Sequence, residues 1–273
     1  MEMRSMTPIG EKYMPVSLDK KIAKLNLDKK SPELVSLAKK AGVSLEKKGF
    51  GAHEAQVALI MDISGSMQSL FQNGTVQELI ARTMALGINF DDNGAIDIFA
   101  FGRNAYDLGE MTPDQFSNAA DWILRKTGYE RSTLYSLPMK EVARHYGFRQ
   151  IKRVGGFLGF GGTEKEVWVE SQAFEYPIYA FFVTDGDNSD RGETRKIIHE
   201  ISKYPIFFQF IGIGDNSFSF LEELDDIEGR TLDNANFFAV PDPKKMSPED
   251  MFDKMMEEYP QWVKDIKSKG WLV

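Results

Sequence analysis

Three oxygen-bearing side chains are spaced two residues apart directly after an apolar run. The run covers residues 57–61, and Asp62, Ser64 and Ser66 follow it. A turn at the end of a strand can fold one carboxylate and two hydroxyls with this spacing towards a single point. Oxygen ligands of this kind suit Mg²⁺, Mn²⁺ or Ca²⁺ and do not suit zinc or copper. The spacing therefore predicts a site for a divalent metal ion.

Two later segments carry oxygen ligands as well. A second apolar run, residues 178–183, is followed by Asp185, and a hydroxyl-bearing loop with Thr133 precedes a predicted helix. We expect both residues to join the site. Asp187 and Asp190 lie slightly further on, and the loop that starts at Asp185 lacks the glycine and glutamate that an EF-hand requires. We expect these two to hydrogen-bond the loops of the site or to cap the next helix.

The order of predicted elements brings these residues to one place. From about residue 54, apolar runs alternate with segments of helical periodicity. The predicted strands are 57–61, 95–101, 178–183, 206–213 and 237–240, with 106–108 returning antiparallel at an edge, and the predicted helices are 75–90, 113–124, 134–146, 194–203, 218–224 and 248–259. This alternation predicts an α/β fold, a Rossmann-like, doubly wound, mostly parallel six-stranded sheet with helices on both faces. Ligands bind at the carboxyl ends of the strands of such sheets, where these side chains lie.

The chain divides into an N-terminal extension, residues 1–50, and a main domain, residues 51–273. Short alternating segments predict strands at 16–18 and 25–27 of the extension. Ser31 and Pro32 then predict the start of a helix that Gly42 ends, and 43–49 forms a separate short piece.

The main domain contains an insertion at residues 148–177 that is rich in glycine and aromatic residues. A twisted hairpin is favoured over a nucleotide site, because no Gly-Lys-Ser/Thr follows the glycines. The insertion is expected at the edge of the sheet opposite the metal ligands. Its Phe157, Leu158 and Phe160 are candidates for a contact surface.

Composition excludes several classes of function. The chain has a net charge of −8, made up of +5 in residues 1–50 and −13 in the remainder, so the main domain is a poor binder of nucleic acid. There is no cysteine, and the histidines (His53, His145 and His199) lack the spacing of zinc ligands. No transmembrane run and no secretory signal are visible, so a cytosolic location is expected.

Asp62-x-Ser64-x-Ser66, a separate threonine and Thr184-Asp185-Gly186 together resemble the metal-ion-dependent adhesion site, or MIDAS, of von Willebrand factor A (VWA) domains. The chain more narrowly resembles the VWA domain of the TerF-like tellurium-resistance proteins of bacteria. The stretches that carry this likeness are 44–49, 57–67, 210–215, 232–238 and 258–262, and it covers residues 34–273. Residues 14–18 also resemble the opening of a TerD domain, without a complete TerD domain after them.

The resemblance implies a cytosolic, metal-dependent protein-interaction module of a tellurite-resistance or stress-response system. Its ion is expected to be Mg²⁺, with Mn²⁺ or Ca²⁺ as alternatives. Ser64, Ser66 and Thr133 would bind the ion directly, and Asp62 and Asp185 often act through water. Glu-Arg-Ser stands before the threonine where the family often has glycines, so Ser132 is an alternative ligand in this loop. A protein partner would supply an Asp or Glu to the remaining open position.

The alternative function is a metal-dependent hydrolase of phosphoesters. That chemistry requires a second metal ion or a general base near the nucleophile. No HExxH, no GxSxG and no histidine close to the aspartate–serine motif is present. The interaction module is therefore the favoured function.

Overall fold

A computed structural model describes residues 17–91, 93–154, 163–170, 173–186 and 188–272 of the chain. The strands are β1 (Gln56–Asp62), β2 (Ile96–Phe101), β3 (Ala105–Met111), β4 (Arg149–Val154), β5 (Thr163–Trp168), β6 (Ile178–Thr184), β7 (Ile206–Ile213) and β8 (Ala235–Val240). The helices are α1 (Leu18–Lys24), α2 (Leu27–Lys30), α3 (Pro32–Lys47), α4 (Gln68–Gln72), α5 (Thr75–Phe90), α6 (Ala119–Thr127), α7 (Ser136–His145), α8 (Arg191–Ile201), α9 (Ser219–Asp225), α10 (Pro248–Met255) and α11 (Tyr259–Ser268). Within these residues, no helix is both long enough and apolar enough to cross a membrane.

The main sheet has six strands in the order β3-β2-β1-β6-β7-β8. β2, β1, β6, β7 and β8 run parallel, and β3 pairs antiparallel with β2 at one edge. The predicted doubly wound α/β fold is confirmed. The order reverses between β1 and β6, which places their carboxyl ends side by side where such sheets bind ligands.

Each face of the sheet is covered by helices, which explains why its central strands are continuous apolar runs. Alternate residues of β1 enter two separate cores: Val57, Leu59 and Met61 pack on one face, and Ala58 and Ile60 on the other. Helices α3, α5, α6, α10 and α11 contribute to the first core, and α7, α8 and α9 to the second. The sheet is therefore a rigid middle layer, and its loops are left to form the site.

The described part of the extension is helical, so the strands predicted at 16–18 and 25–27 are wrong wherever residues are described. These alternations are only three residues long, and the buried Ile22 and Leu27 instead pack in the first core from α1 and α2. Ser31 caps α3 as predicted, because its hydroxyl accepts the N–H of Leu34. Gly42 does not end this helix; a Cβ there would lie 3.1 Å from Asn89 Oδ1, so the glycine permits close packing on α5.

The described part of the 148–177 insertion is an antiparallel hairpin of β4 and β5. At its base Phe148 packs against Tyr204, with ring centroids 5.4 Å apart, and Tyr204 lies two residues before the start of β7. The hairpin therefore leaves the sheet at the edge opposite the carboxyl ends of the strands. Phe157, Leu158 and Phe160 lie outside the described residues.

The C-terminal segment contains one helix more than the sequence predicted. The helix expected over 248–259 ends at Met255, and α11 begins at Tyr259, with Pro260 in its first turn, where the missing proline N–H costs nothing. The ring of Tyr259 stacks on Tyr179 of β6 at a centroid distance of 4.0 Å. The tail is therefore held on the first core.

Candidate metal centre

The carboxylate of Asp62 organises the turn that follows β1. Asp62 ends the strand and is only 1% exposed, and its Oδ1 accepts the N–H of Ser64 at 2.7 Å. A short 3-10 turn, Gly65–Met67, then carries the exposed Ser66. The hydroxyls of Ser64 and Ser66 lie 3.0 Å apart. The turn therefore folds both hydroxyls together, as the spacing predicted.

The end of β6 supplies the second carboxylate. The hydroxyl of Ser66 donates to Asp185 Oδ1 at 2.8 Å, and the hydroxyl of Thr184 donates to Asp62 Oδ2 at 2.6 Å. A continuous hydrogen-bonded network thus joins Asp62, Ser64, Ser66 and Asp185, which are four of the five predicted ligands. The parallel pairing of β1 with β6 is what brings these residues together.

The loop that carries Thr133 runs beside this turn. The N–H of Glu130 donates to the carbonyl of Ile63 at 2.8 Å, and Ser64 and Glu130 form a parallel β-bridge. On the other side, the N–H of Ser189 donates to the carbonyl of Thr133 at 2.9 Å. Thr133 is half-buried at the same edge, and within the described residues no hydrogen bond joins its hydroxyl to the other four side chains.

Ser132, the alternative to Thr133, adopts the left-handed backbone conformation, with φ of +68°. Its side chain is exposed, and its hydroxyl lies 3.5 Å from that of Ser189. Left-handed backbone is uncommon for a residue other than glycine.

Both carboxyls of the site hold their protons more tightly than free aspartates. Burial raises the pKa of Asp62 to about 6, although hydrogen bonds from Thr184 and Ser64 oppose the shift and the charge of Asp185 adds to it. Burial also raises the pKa of Asp185, against the hydrogen bond from Ser66. Two neighbouring carboxyl groups that are partly shielded from water favour a bound cation, because a cation stabilises their charged forms.

The oxygen atoms fit a small divalent ion. Adjacent ligands of an octahedral Mg²⁺ ion at about 2.1 Å are about 3 Å from each other. The separation of 3.0 Å between the hydroxyls of Ser64 and Ser66, two of the expected direct ligands, is compatible with that geometry. The described residues contain no group of three or more Asp, Glu, His or Cys able to hold a metal. The donor set is therefore rich in hydroxyls and poor in negative charge, which suits a hard cation.

Three supporting residues were not predicted. Glu130 accepts hydrogen bonds at 2.8 Å from both the backbone and the side-chain nitrogens of Asn104, and another from the hydroxyl of Tyr106. The glutamate thereby fastens the Thr133 loop to the turn between β2 and β3. The one sequence signal was its position, since it stands where the resembled family often has glycine.

Asp190 bonds both the end of the Thr133 loop and the helix that follows it in sequence, which are the two roles expected for it. Its two carboxylate oxygens each accept an N–H at 3.0 Å, from Tyr135 and Ser136, and so cap the start of α7. Asp190 also serves the following helix α8, since its Oδ1 accepts the hydroxyl of Thr194 at 3.1 Å and its backbone carbonyl accepts the N–H of Thr194. Asp187 lies outside the described residues.

His53 and His145 are held by structural contacts away from the site. His53 Nε2 lies 2.9 Å from the hydroxyl of Tyr259, at the opposite edge of the sheet, and burial lowers the pKa of its imidazole to about 3. His145 Nδ1 lies 2.8 Å from a carboxylate oxygen of Asp107 on β3. Neither histidine is therefore placed to act on a group bound at the site.

Comparisons with known proteins identify a family for this chain. The family model for vWA-TerF-like domains, described as the vWA found in the TerF C terminus, matches residues 54–272. YcbR, an uncharacterised protein of Bacillus subtilis (strain 168), is 32% identical over 252 residues, which are 91% of this chain and 90% of YcbR.

Solved structures show likeness in fold alone. Proximal thread matrix protein 1 of the mussel byssus (crystal form 2) is 14% identical, with a TM-score of 0.51 over 76% of this chain and 48% of that one, so the chain spans about half its length. Manganese-loaded TRAP protein of Plasmodium vivax is 13% identical, with a TM-score of 0.47 over 76% of this chain and 74% of that one. With the family match extending over most of the chain, the protein belongs to the vWA-TerF-like family.

Proposed function

We propose that this protein is a cytosolic, metal-dependent protein-interaction module that captures a carboxylate of a partner protein. The observation that carries the proposal is the hydrogen-bonded network of Asp62, Ser64, Ser66 and Asp185 at the switch point of the sheet. Ser64, Ser66 and Thr133 would hold a Mg²⁺-type ion directly, and Asp62 and Asp185 would orient its waters. The bound ion would supply an electrophilic position for an Asp or Glu of the partner.

The burial of the network supports capture from one side only. Asp62 and Ser64 are 1% and 5% exposed, whereas Ser66 is exposed at the surface. The turn after β1 holds the side chains of Asp62 and Ser64 in place, so they cannot move towards the surface with a bound partner. The exposed hydroxyl marks the side from which a partner approaches.

Membership of the vWA-TerF-like family is the basis for proposing a role in tellurite resistance or a related stress response. A deletion strain of the source organism, complemented with wild type or with Ser64→Ala/Ser66→Ala, tests this role. Growth on tellurite that wild type restores and the variant does not would support it. Equal restoration by both would contradict a role for the metal site.

Titration calorimetry of metal-free protein with Mg²⁺, Mn²⁺ and Ca²⁺ tests the site itself. We expect wild type to bind at least one of these ions and Ser64→Ala/Ser66→Ala to lose that binding. Ser69→Ala is the matched control, because Ser69 lies on α4 just beyond the turn and is exposed. Wild-type affinity in the double variant would refute the proposed ligands.

Hydrolysis of generic phosphoesters with Mg²⁺ or Mn²⁺ separates the module from the alternative enzyme. We expect no turnover above that of the Ser64→Ala/Ser66→Ala variant. Turnover that Asp62→Ala abolishes would instead establish a metal-dependent hydrolase.

A further inference from the structure

We propose that the rim of this site selects partner segments with several acidic residues. Arg103 and Arg131 would bind these segments on the side of the rim that lies next to β2. This inference rests on the proposed function, because it names the class of partner that the metal site captures. One partner carboxylate would reach the ion, and its acidic neighbours in sequence would pair with the two guanidinium groups.

The two arginines start from the same corner of the rim. Arg103 lies in the turn between β2 and β3, and Arg131 lies in the loop between α6 and α7. These segments are joined where Asn104 donates two hydrogen bonds of 2.8 Å to the carboxylate of Glu130. Each arginine is therefore the direct neighbour in sequence of a residue in this junction.

Both guanidinium groups are free for a partner. Arg103 and Arg131 are exposed, and neither side chain forms an ion pair or hydrogen bond with another residue in the described ranges. Other arginines of the same acidic chain have a carboxylate partner: Arg82, Arg144, Arg149, Arg195 and Arg230. Two exposed arginines without a carboxylate partner among the described residues thus lie beside the metal site of a chain with a net charge of −8.

The arginines are within reach of a segment bound at the ion. Arg131 is two residues before Thr133, so their Cα atoms are at most about 7.6 Å apart. A guanidinium group binds carboxylates through two parallel hydrogen bonds, which favours acidic side chains over other acceptors. A carboxylate one or two residues from the metal-bound one can therefore meet either arginine.

The opposite side of the rim carries an exposed carboxylate. The loop after β7 holds the exposed Asp215, and the side chain of the next residue, Asn216, donates to the backbone carbonyl of Asp185. The rim therefore carries two exposed arginines on the side of β2 and an exposed aspartate on the side of β7. An acidic partner segment is attracted to the arginines and repelled by the aspartate. The rim therefore selects the charge of the segment and also the direction in which it lies across the site.

Two fluorescein-labelled nonapeptides of glycine and serine test the inference, one with a single central glutamate and the other with three consecutive glutamates. Binding is measured by fluorescence anisotropy in saturating Mg²⁺ and in EDTA. We expect the three-glutamate peptide to bind at least about tenfold more tightly in Mg²⁺, as two or more ion pairs can provide. Arg103→Glu/Arg131→Glu should remove this advantage, while calorimetry should show that the variant still binds Mg²⁺ at least as tightly as wild type, because the new carboxylates attract the cation.

Lys152→Glu/Lys165→Glu is the matched control, since it makes the same change in net charge on the exposed hairpin at the other edge of the sheet. It should keep the preference for three glutamates. The inference would be overturned if Arg103→Glu/Arg131→Glu kept the preference for the three-glutamate peptide. It would also be overturned if the lysine control lost that preference to the same extent. Mg²⁺-dependent binding of both peptides with equal affinity would overturn it and leave the proposed function standing. No Mg²⁺-dependent binding of either peptide would count against both.

Discussion

The carboxylate of Glu130 is expected to hold the third loop of the metal site in its binding position. It accepts hydrogen bonds from both nitrogens of Asn104 and from the hydroxyl of Tyr106, and its backbone N–H bonds to the turn after β1. Partial burial opposes ionisation, but these hydrogen bonds prevail and lower the pKa of Glu130. Substitution Glu130→Gln keeps the shape of the side chain while removing its charge and one acceptor oxygen.

The size of the effect follows from the number of bonds and their exposure. A hydrogen bond to a charged group contributes about 1.5–3 kcal/mol when buried. Glu130 is half-buried and Asn104 is exposed, so solvent screening reduces this value. We expect Glu130→Gln to lower the free energy of unfolding by about 1–2 kcal/mol. We also expect it to weaken Mg²⁺ binding about tenfold, which is the usual effect of losing a residue that positions a metal ligand.

Titration calorimetry with Mg²⁺ and urea unfolding measure the two quantities on the same protein. Glu164→Gln is the control, because it makes the same chemical change at an exposed position on the hairpin β4–β5. If Glu130→Gln unfolds at a lower urea concentration but binds Mg²⁺ like the control, the loop does not depend on the glutamate for its binding position. If both quantities are unchanged, the hydrogen bonds of Glu130 make no net contribution and the reasoning is wrong.

Three further substitutions test other parts of the fold. Asp190→Ala removes the cap of α7 and should cost about 1–2 kcal/mol in urea unfolding, with Asp190→Asn intermediate. Burial disfavours the charged form of His145, but hydrogen bonds to two carboxylates raise its pKa to about 10. In the unfolded chain the pKa of His145 is about 6.5, so the protonated imidazole stabilises the fold fully below about pH 6.5 and this contribution is lost as the pH rises towards about 10. Between pH 6 and pH 9 the free energy of unfolding should therefore fall more for wild type than for His145→Gln. In Gly102→Ala the new Cβ would lie 2.5 Å from Cβ of Glu130, so the substitution should displace the Thr133 loop and weaken Mg²⁺ binding. Gly192→Ala is the control, because there is open space around Gly192 and Mg²⁺ binding should be unchanged.

The parts of the fold that follow from local pattern were predictable from the sequence. The strands of the parallel sheet are apolar because helices bury both of their faces, so continuous runs located them to within a residue or two. The α5 helix was predicted with the bounds that the structure has, Thr75–Phe90. The sequence also predicted that Asp62 and Asp185 lie close together, because each stands at the carboxyl end of a strand and parallel strands have their carboxyl ends at the same edge of the sheet.

The features that depend on tertiary contacts were not predictable in this way. Gly42 indicates a helix end by its type, yet the structure uses it for close packing on α5. Asp190 is next in sequence to α8 and bonds it, but its carboxylate also caps α7, which begins 54 positions earlier at Ser136. The hydrogen bonds between Glu130 and Asn104 join residues 26 positions apart, and no spacing rule links them.

The packing of α3 against α5 has a consequence for shortened forms of the protein. The family match begins at residue 54, but Leu34, Leu37 and Ala38 of α3 lie in the same core as α5. The extension is also bonded to the end of α5, since Lys21 Nζ donates to the carbonyl of Asn89 at 2.6 Å. A chain truncated at residue 54 would leave the outer side of α5 as a large apolar patch open to water, and such patches promote aggregation. The boundary of the family match is therefore not the boundary of the folded unit, and expression of this domain should begin upstream of α1.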